Sequence, residues 1–401
     1  MSKSDLIIRP DRRRFLLGAS GLVAGASAFR FPTPAIAQGA PLKVGLMLPY
    51  SGTFGRLGQF IDNGFRLYAE QRGGKLGGRA IEFVQIDDES KPESATDNMN
   101  RLVGRDKVDV VVGTVHSGVA MAMVKVARDT NTMLVIPNAG VNEATGPLCA
   151  PHIFRTSFSN WQVCQPMGKV MFDAGHKNVA TITWRYAAGA QMVDAFKEGF
   201  TAAGGKVVED LALPFPEVEF QALITRIATL KPDAVFAFFA GGGAVKFVRD
   251  YAAAGLSKSI PLYGAGFLTD GTLQAQGDAA EGIKTTLHYA DNLDGAANKT
   301  FSEAFLKKTG KEGDIYAVQG YDAAALLDIG LKAVKGDFTA RAPMVAAMRA
   351  AKIDSPRGPM AFNKGNNPVQ DIYLREVRKG QNVKIGVAGK AVDDPARGCR
   401  A

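Results

Sequence analysis

Apolar positions along this chain alternate between short unbroken runs and stretches that repeat every three to four residues. Lys43 to Leu48 is a short apolar run, and a helix pattern follows from about Leu57 to Arg72, broken by Gly73-Gly74. Ala80 to Ile86 reads as the next strand. Pro92 suits a helix first turn, and that helix runs to about Arg105. Asp109 to Val112 is a buried strand, Ser117 opens a helix, and Met133 to Ile136 is another strand. Strands apolar throughout and separated by amphipathic helices predict a parallel sheet covered on both faces.

The pattern then restarts. Strands are expected at Val179–Thr183, Val207–Leu213 and Ala234–Phe239. Met192, Phe196, Gly199 and Phe200 mark one helix face; Phe220, Leu223, Ile224, Ile227 and Leu230 mark another, closed by Pro232. A third helix continues from Gly241-Gly242-Gly243 to about Ala254. Late in the chain, Phe301–Lys308, Tyr316–Val334 and Pro343–Ala350 read as helices and Pro368–Val377 as a strand. Two successive β/α arrays predict two doubly wound α/β lobes. The expected division is 38–155 plus 284–352 for the first lobe and 156–283 plus 353–401 for the second.

The N-terminus changes the picture of where the chain works. Asp11-Arg12-Arg13-Arg14-Phe15-Leu16 precedes a Gly/Ala-rich apolar stretch and Pro34-Ala35-Ile36-Ala37, which carries small residues at the spacing a signal peptidase needs. The arginine pair followed by x-Phe-Leu resembles a twin-arginine export signal. Residues 1–37 are therefore expected to be a leader cleaved near Ala37, with the protein in the periplasm. The stretch is too short and too poor in Leu and Ile for a good membrane span.

Composition is ordinary: 401 residues, 46% hydrophobic and 22% charged, with a formal charge of +9. Four of those charges sit in residues 1–37, and the remainder shows no Lys/Arg runs, which argues against nucleic acid as a partner. Three cysteines in an exported chain allow one disulfide. Cys164 falls in line with Met167, Gly168 and Met171 and reads as buried, so Cys149 and Cys399, in loop and tail contexts, are the expected pair.

No catalytic or cofactor constellation emerges. His116, His152, His176 and His288 show no metal-ligand spacing. No G-x-S-x-G elbow surrounds Ser117, and Gly73–Gly78 lacks the order of a phosphate loop. Asp87-Asp88-Glu89 reads as a solvated turn. No cofactor and no metal is expected.

Ligands of open parallel sheets sit beyond the carboxyl ends of the strands. The loops there hold Phe54 and Arg56, His116 and Ser117, Asn138-Ala139-Gly140, Trp184 to Tyr186, Ala240, and Gly266-Phe267. They are rich in Gly, Ser, Asn and aromatics and poor in acids. Bare backbone N–H groups and helix N-termini suit an anion, and aromatic walls suit an apolar body.

An ordered set of short pieces carries a resemblance: Val44-Gly45-Leu46, Ser51-Gly52, Gly73-Gly74 with Gly77-Gly78-Arg79, Asp87-Asp88, Val111-Val112-Gly113 with Ser117, Ile136-Pro137-Asn138-Ala139, and Phe154-Arg155-Thr156. In them the chain is similar to the type I periplasmic binding proteins of the branched-chain amino-acid transport group. The resemblance implies two lobes joined by a three-crossing hinge, a ligand in the cleft between them, and delivery to an ABC-type permease. It implies that Ser117 meets a ligand carboxylate and that the Asn138–Gly140 loop gives backbone contacts. The group's amino-acid binders carry a hydroxyl residue where Gly140 stands and an acid near Gly266; this chain has neither. The expected ligand is accordingly an aromatic or cyclic carboxylate, bound by a monomer. The site is expected to comprise Ser117, His116, Asn138, Ala139, Gly140, Phe54, Arg56, Tyr186, Ala240, Gly266 and Phe267, with Arg56 and Arg185 as candidate counter-charges. An amino-acid or amide receptor, a ligand sensor of a signalling system and an exported enzyme are the alternatives.

Overall fold

The computed structural model describes residues 40–400; the leader expected over residues 1–37 lies outside them. The first lobe is built from β1 (Leu42–Leu48), α1 (Gly55–Glu70), β2 (Lys75–Leu76), β3 (Arg79–Asp87), α2 (Pro92–Asn100), β4 (Val110–Val112), α3 (Ser117–Thr130), β5 (Met133–Ile136) and β6 (Ile153–Arg155). Its sheet runs β2-β3-β1-β4-β5-β6 and is parallel except for β2, which folds back on β3. Alternate strand residues serve opposite faces. Leu42, Val44, Leu46, Val110 and Val112 join Phe65 and Tyr68 of α1 on one side. Met47, Val111, Leu134 and Ile136 join the α2 and α3 side chains on the other. Burial on both faces is why these strands read as unbroken apolar runs.

The second lobe contains α4 (Asn160–Asp173), β7 (Asn178–Arg185), α5 (Ala187–Ala202), β8 (Lys206–Pro214), α6 (Gln221–Leu230), β9 (Ala234–Phe238), α7 (Gly241–Ala253), β10 (Leu262–Ala265), α8 (Leu273–Gln276) and β11 (Lys284–Leu287). The chain continues through α9 (Ala296–Thr309), α10 (Ile315–Ala333), α11 (Arg341–Arg349), β12 (Ala361–Phe362), β13 (Pro368–Arg378) and β14 (Gln381–Val392). The second sheet runs β12-β13-β11-β10-β9-β7-β8, with β14 paired to β13. Strands β7 to β11 are parallel, whereas β13 and β14 are antiparallel additions.

Helix α10 packs on α1 of the first lobe. A Cβ at Gly64 would lie 1.9 Å from Ala317 O, and one at Gly320 would lie 1.9 Å from Ile61 O, so only two glycines let the helix backbones approach this closely. Helix α9 also contacts α1, through the Phe60–Phe305 ring pair.

Two boundaries differ from the sequence expectation. Residues 284–287 form β11 inside the second sheet, between β10 and β13, so the chain leaves the second lobe beyond Leu287. Beyond β14 the tail returns to the first-lobe loop before β6: Cys149 and Cys399 are joined in a disulfide with Cα atoms 5.6 Å apart. Asn366 also donates to Ile153 O at 2.9 Å. The hinge segments are laced by buried amides and guanidinium groups. Arg155 Nε donates to Asn367 Oδ1 at 2.7 Å, Arg357 Nη1 to Ser157 O at 3.1 Å, and Gln370 Nε2 to Ser157 O at 2.6 Å.

Candidate functional site

The carboxyl ends of the two sheets face each other across a narrow cavity. The first lobe contributes Phe54, Leu57, Val115, Ser117, Asn138, Gly140 and Tyr316; the second contributes Tyr186, Ala188, Met192, Phe238, Ala240 and Phe267. Phe158 and Asn160, just past the first lobe crossing, complete the wall. No Asp, Glu, Lys, Arg or His is among these lining residues.

The lobes are closed on one another. Gly241, the first residue of α7, has a φ of +54°, and a Cβ there would lie 2.3 Å from Thr53 O of the opposite lobe. Gly241 therefore allows a direct backbone approach across the cleft.

The N-terminus of α3 points at the cavity. His116 is its N-cap, and the ring Nδ1 accepts from the N–H groups of Gly118 at 3.1 Å and Val119 at 3.4 Å. That role makes Nδ1 the unprotonated nitrogen. Burial lowers the His116 pKa to about 4 and keeps the ring neutral. Ser117, the first helical residue, is buried and lines the cavity at the positive end of the helix dipole. Among the described residues no acceptor is found for the amide of Gly140. The Asn138 side chain is committed elsewhere, donating to Gln319 Oε1 at 2.7 Å.

Aromatic rings supply most of the remaining wall. Phe267 is central, with ring centroids 4.7 Å from Phe158, 6.2 Å from Tyr316 and 6.4 Å from Phe238. Tyr186 stacks over Phe238 at 6.2 Å. Two buried polar atoms of lining residues, Asn160 Oδ1 and the Tyr316 hydroxyl, have no hydrogen-bond partner.

Of the residues expected at the site, Phe54, Ser117, Asn138, Gly140, Tyr186, Ala240 and Phe267 share the cavity. His116, Ala139, Arg56 and Gly266 lie off its wall. His116 is consumed as a cap and stacks on Tyr186. Ala139 donates its N–H to Thr114 O at 2.9 Å. Arg56 pairs with Asp314 at 3.0 Å and is 43% exposed. Gly266 O accepts from Arg375 Nη2 at 3.1 Å. Arg185 is exposed at the end of β7, and its Nη2 donates to Ala212 O. Neither arginine offered as a counter-charge reaches the wall.

The loop after β10 does hold an acid, Asp270, four residues beyond Gly266. It is buried and paired with the equally buried Arg375 at 2.7 Å. Burial raises the Asp270 pKa and the Arg375 charge opposes that shift. The acid is thus spent on an internal guanidinium. The expected site left out Phe158, Asn160, Met192, Phe238 and Tyr316, and with them the smaller wall positions Leu57, Val115 and Ala188. Met192 reads as part of a helix face and Phe238 as part of a strand, while Asn160 and Tyr316 lie in the first turns of helices at the hinge and in the late segment, where no strand end points to them.

A profile of the periplasmic binding protein family matches residues 41–382. The chain belongs to that family. The Leu/Ile/Val-binding protein homolog 6 of Brucella melitensis is 32% identical over 348 residues, covering 85% of this chain and 88% of the relative. A solved ABC-transporter solute-binding protein of R. palustris, in complex with benzoate, is 52% identical with a TM-score of 0.89, covering 90% of this chain and all of that one. Another, from Rhodopseudomonas palustris BisB5 in complex with 3,4-dihydroxybenzoic acid, is 34% identical with a TM-score of 0.83, covering 88% of this chain and 99% of that one. This binding protein is therefore of type I, in the branched-chain amino-acid ABC group. It is a solute receptor rather than an enzyme, and its family places it in the periplasm.

Proposed function

We propose that this periplasmic binding protein captures an aromatic or cyclic carboxylate in the interlobe cleft and delivers it to the permease of an ABC-type importer. The observation that carries the reading is the composition of the wall: six aromatic side chains, no charged group, and a serine at a helix N-terminus. Ring faces accept a flat apolar body. The Ser117 hydroxyl, the unpartnered Gly140 amide and the α3 dipole receive the carboxylate. The complexes of the two Rhodopseudomonas proteins with benzoate and 3,4-dihydroxybenzoic acid support this.

The 32% identical Leu/Ile/Val-binding homologue supports a second reading, an aliphatic amino acid. That ligand's ammonium would meet no carboxylate on the wall, and an uncompensated cation in a closed cleft is costly. Export by a twin-arginine leader over residues 1–37 and a monomeric mature chain complete the proposal. The test is a thermal-shift screen of benzoates, cinnamates, cyclohexanecarboxylate and the standard amino acids. Stabilisation by the aromatic acids is expected. Stabilisation by leucine or valine alone would overturn the aromatic-acid reading.

A further inference from the structure

Asn160 is the first residue of α4, immediately after the chain crosses between the lobes. Its side chain is completely buried, and its orientation is fixed by a chain of bonds that can run in only one direction. Gln191 Oε1 accepts from the backbone N–H of Asn142 at 2.9 Å, and a backbone nitrogen only donates. Gln191 Nε2 donates to Glu143 Oε2 at 2.7 Å, and a carboxylate only accepts. Gln191 therefore presents its oxygen to Asn160, which must answer with Nδ2, at 2.9 Å. The other end of the amide, Asn160 Oδ1, is left buried with no donor.

That oxygen stands over Gly140. A Cβ built on Gly140 would lie 2.3 Å from Asn160 Oδ1, so the missing side chain of a cavity-lining residue is the space the oxygen occupies. Here a hinge residue fills the place with an atom that accepts and never donates.

Leaving such an atom unpaired in a closed cleft costs a full desolvation penalty. It calls for a donor on the ligand. A charged donor is disfavoured because the wall holds no anion. A neutral hydroxyl fits, and it remains neutral at pH 7.5 because phenols titrate near pH 10. Tyr316, whose buried hydroxyl is also unpartnered, offers a second polar contact on the same wall.

We infer that Asn160 reads a ring hydroxyl, and that the preferred ligands are hydroxylated aromatic carboxylates rather than unsubstituted ones. This rests on the cleft being an aromatic-acid site. Ring substituents that only accept, such as methoxy groups, would set their oxygen lone pairs against Oδ1 and are selected against.

The experiment is calorimetry at pH 7.5 on the wild-type chain and on Asn160→Ala and Tyr316→Phe, with benzoate, 3- and 4-hydroxybenzoate, 3,4-dihydroxybenzoate, 4-methoxybenzoate and leucine. In the wild type, at least one hydroxylated acid should bind about tenfold or more tighter than benzoate, the scale of one buried hydrogen bond. Methoxybenzoate should bind more weakly than its hydroxy counterpart. In Asn160→Ala the hydroxyl preference should collapse while benzoate binding persists. Benzoate binding as tightly as every hydroxylated acid in the wild type would overturn the inference and leave the aromatic-acid site standing. This wild-type comparison holds whether or not the variants fold. A preference that survives in a folded Asn160→Ala but is lost in Tyr316→Phe would overturn the assignment to Asn160. Binding of leucine with none of the aromatic acids would overturn both readings together.

Discussion

His116 of the first lobe stacks on Tyr186 of the second, with ring centroids 4.8 Å apart and planes inclined by 27°. The pair spans the cleft, so the contact exists only while the lobes are shut. The Gly241–Thr53 approach has the same dependence. Hinge closure of this kind is a recognised switching mode. Small-angle scattering should show a smaller radius of gyration at ligand saturation. Gly241→Val places a branched side chain where the Thr53 carbonyl must come, so it should abolish that shrinkage and weaken binding by at least about 1.4 kcal/mol, a factor of ten. Full shrinkage with unchanged affinity in the variant would show that the lobes close elsewhere.

Ser117→Ala removes the one cavity-lining hydroxyl at the head of α3. Affinity for an aromatic carboxylate should fall by about 1–3 kcal/mol, the scale for leaving a charged group short of a hydrogen bond. Titration calorimetry on the folded variant measures this directly. Unchanged affinity would remove Ser117 from the anion cradle.

The pH dependence of stability should carry the signature of His116. In the folded chain burial holds its pKa at about 4, whereas the unfolded side chain titrates at 6.5. Between those values the unfolded chain takes the proton and the folded chain refuses it. The stabilisation from neutral His116 is therefore complete above pH 6.5 and is lost as the pH falls towards 4. Asp88, with its pKa raised to about 6, acts with the opposite sign, as do Asp291 and Asp322. A difference measurement cancels these three. His116→Asn keeps a capping acceptor without the titration. The stability gap between wild type and variant should move against the wild type by up to roughly 1.4 kcal/mol per pH unit between pH 6.5 and 4, measured by urea denaturation. A gap independent of pH would place His116 in a solvated environment.

Asp270 and Arg375 form a pair in which both side chains are almost wholly buried. Arg375→Met strands the carboxylate in the interior and should cost about 3–5 kcal/mol in denaturant titrations. Asp270→Asn combined with Arg375→Met should recover part of that loss. If the double variant is no more stable than Arg375→Met alone, the arginine acts mainly through its bonds to Gly266, Thr285 and Tyr289.

The fold was largely legible because its parallel strands are buried on both faces. Leu46, Val111 and Val135 sit in runs with no polar interruption, and such runs alternating with helical periodicity admit few architectures. The tail was not legible in the same way. In β14, Gln381–Val392, most positions are partly or fully exposed, so its sequence alternates only weakly. The Lys379-Gly380 turn, with φ of +51° and +75°, was the available hairpin signal. Strand β11 is four residues long and half threonine, too short for a period to show. At the site, loops after strands pointed to Ser117, Gly140 and Phe267 because the chain direction alone places them at the cleft. Asn160 and Tyr316 were invisible to that argument, since their relevance comes from an unpaired atom rather than from a position in a pattern.

A cleft wall without Asp, Glu, Lys, Arg or His, whose two tyrosines are held neutral by burial, has no side chain that changes charge near neutral pH. In the proposed complex the carboxylate meets backbone dipoles and the Ser117 hydroxyl, and neither changes state over the physiological pH range. On that reading unloading follows the geometry of the cleft rather than a change of protonation: parting the lobes separates His116 from Tyr186 and brings water to Asn160.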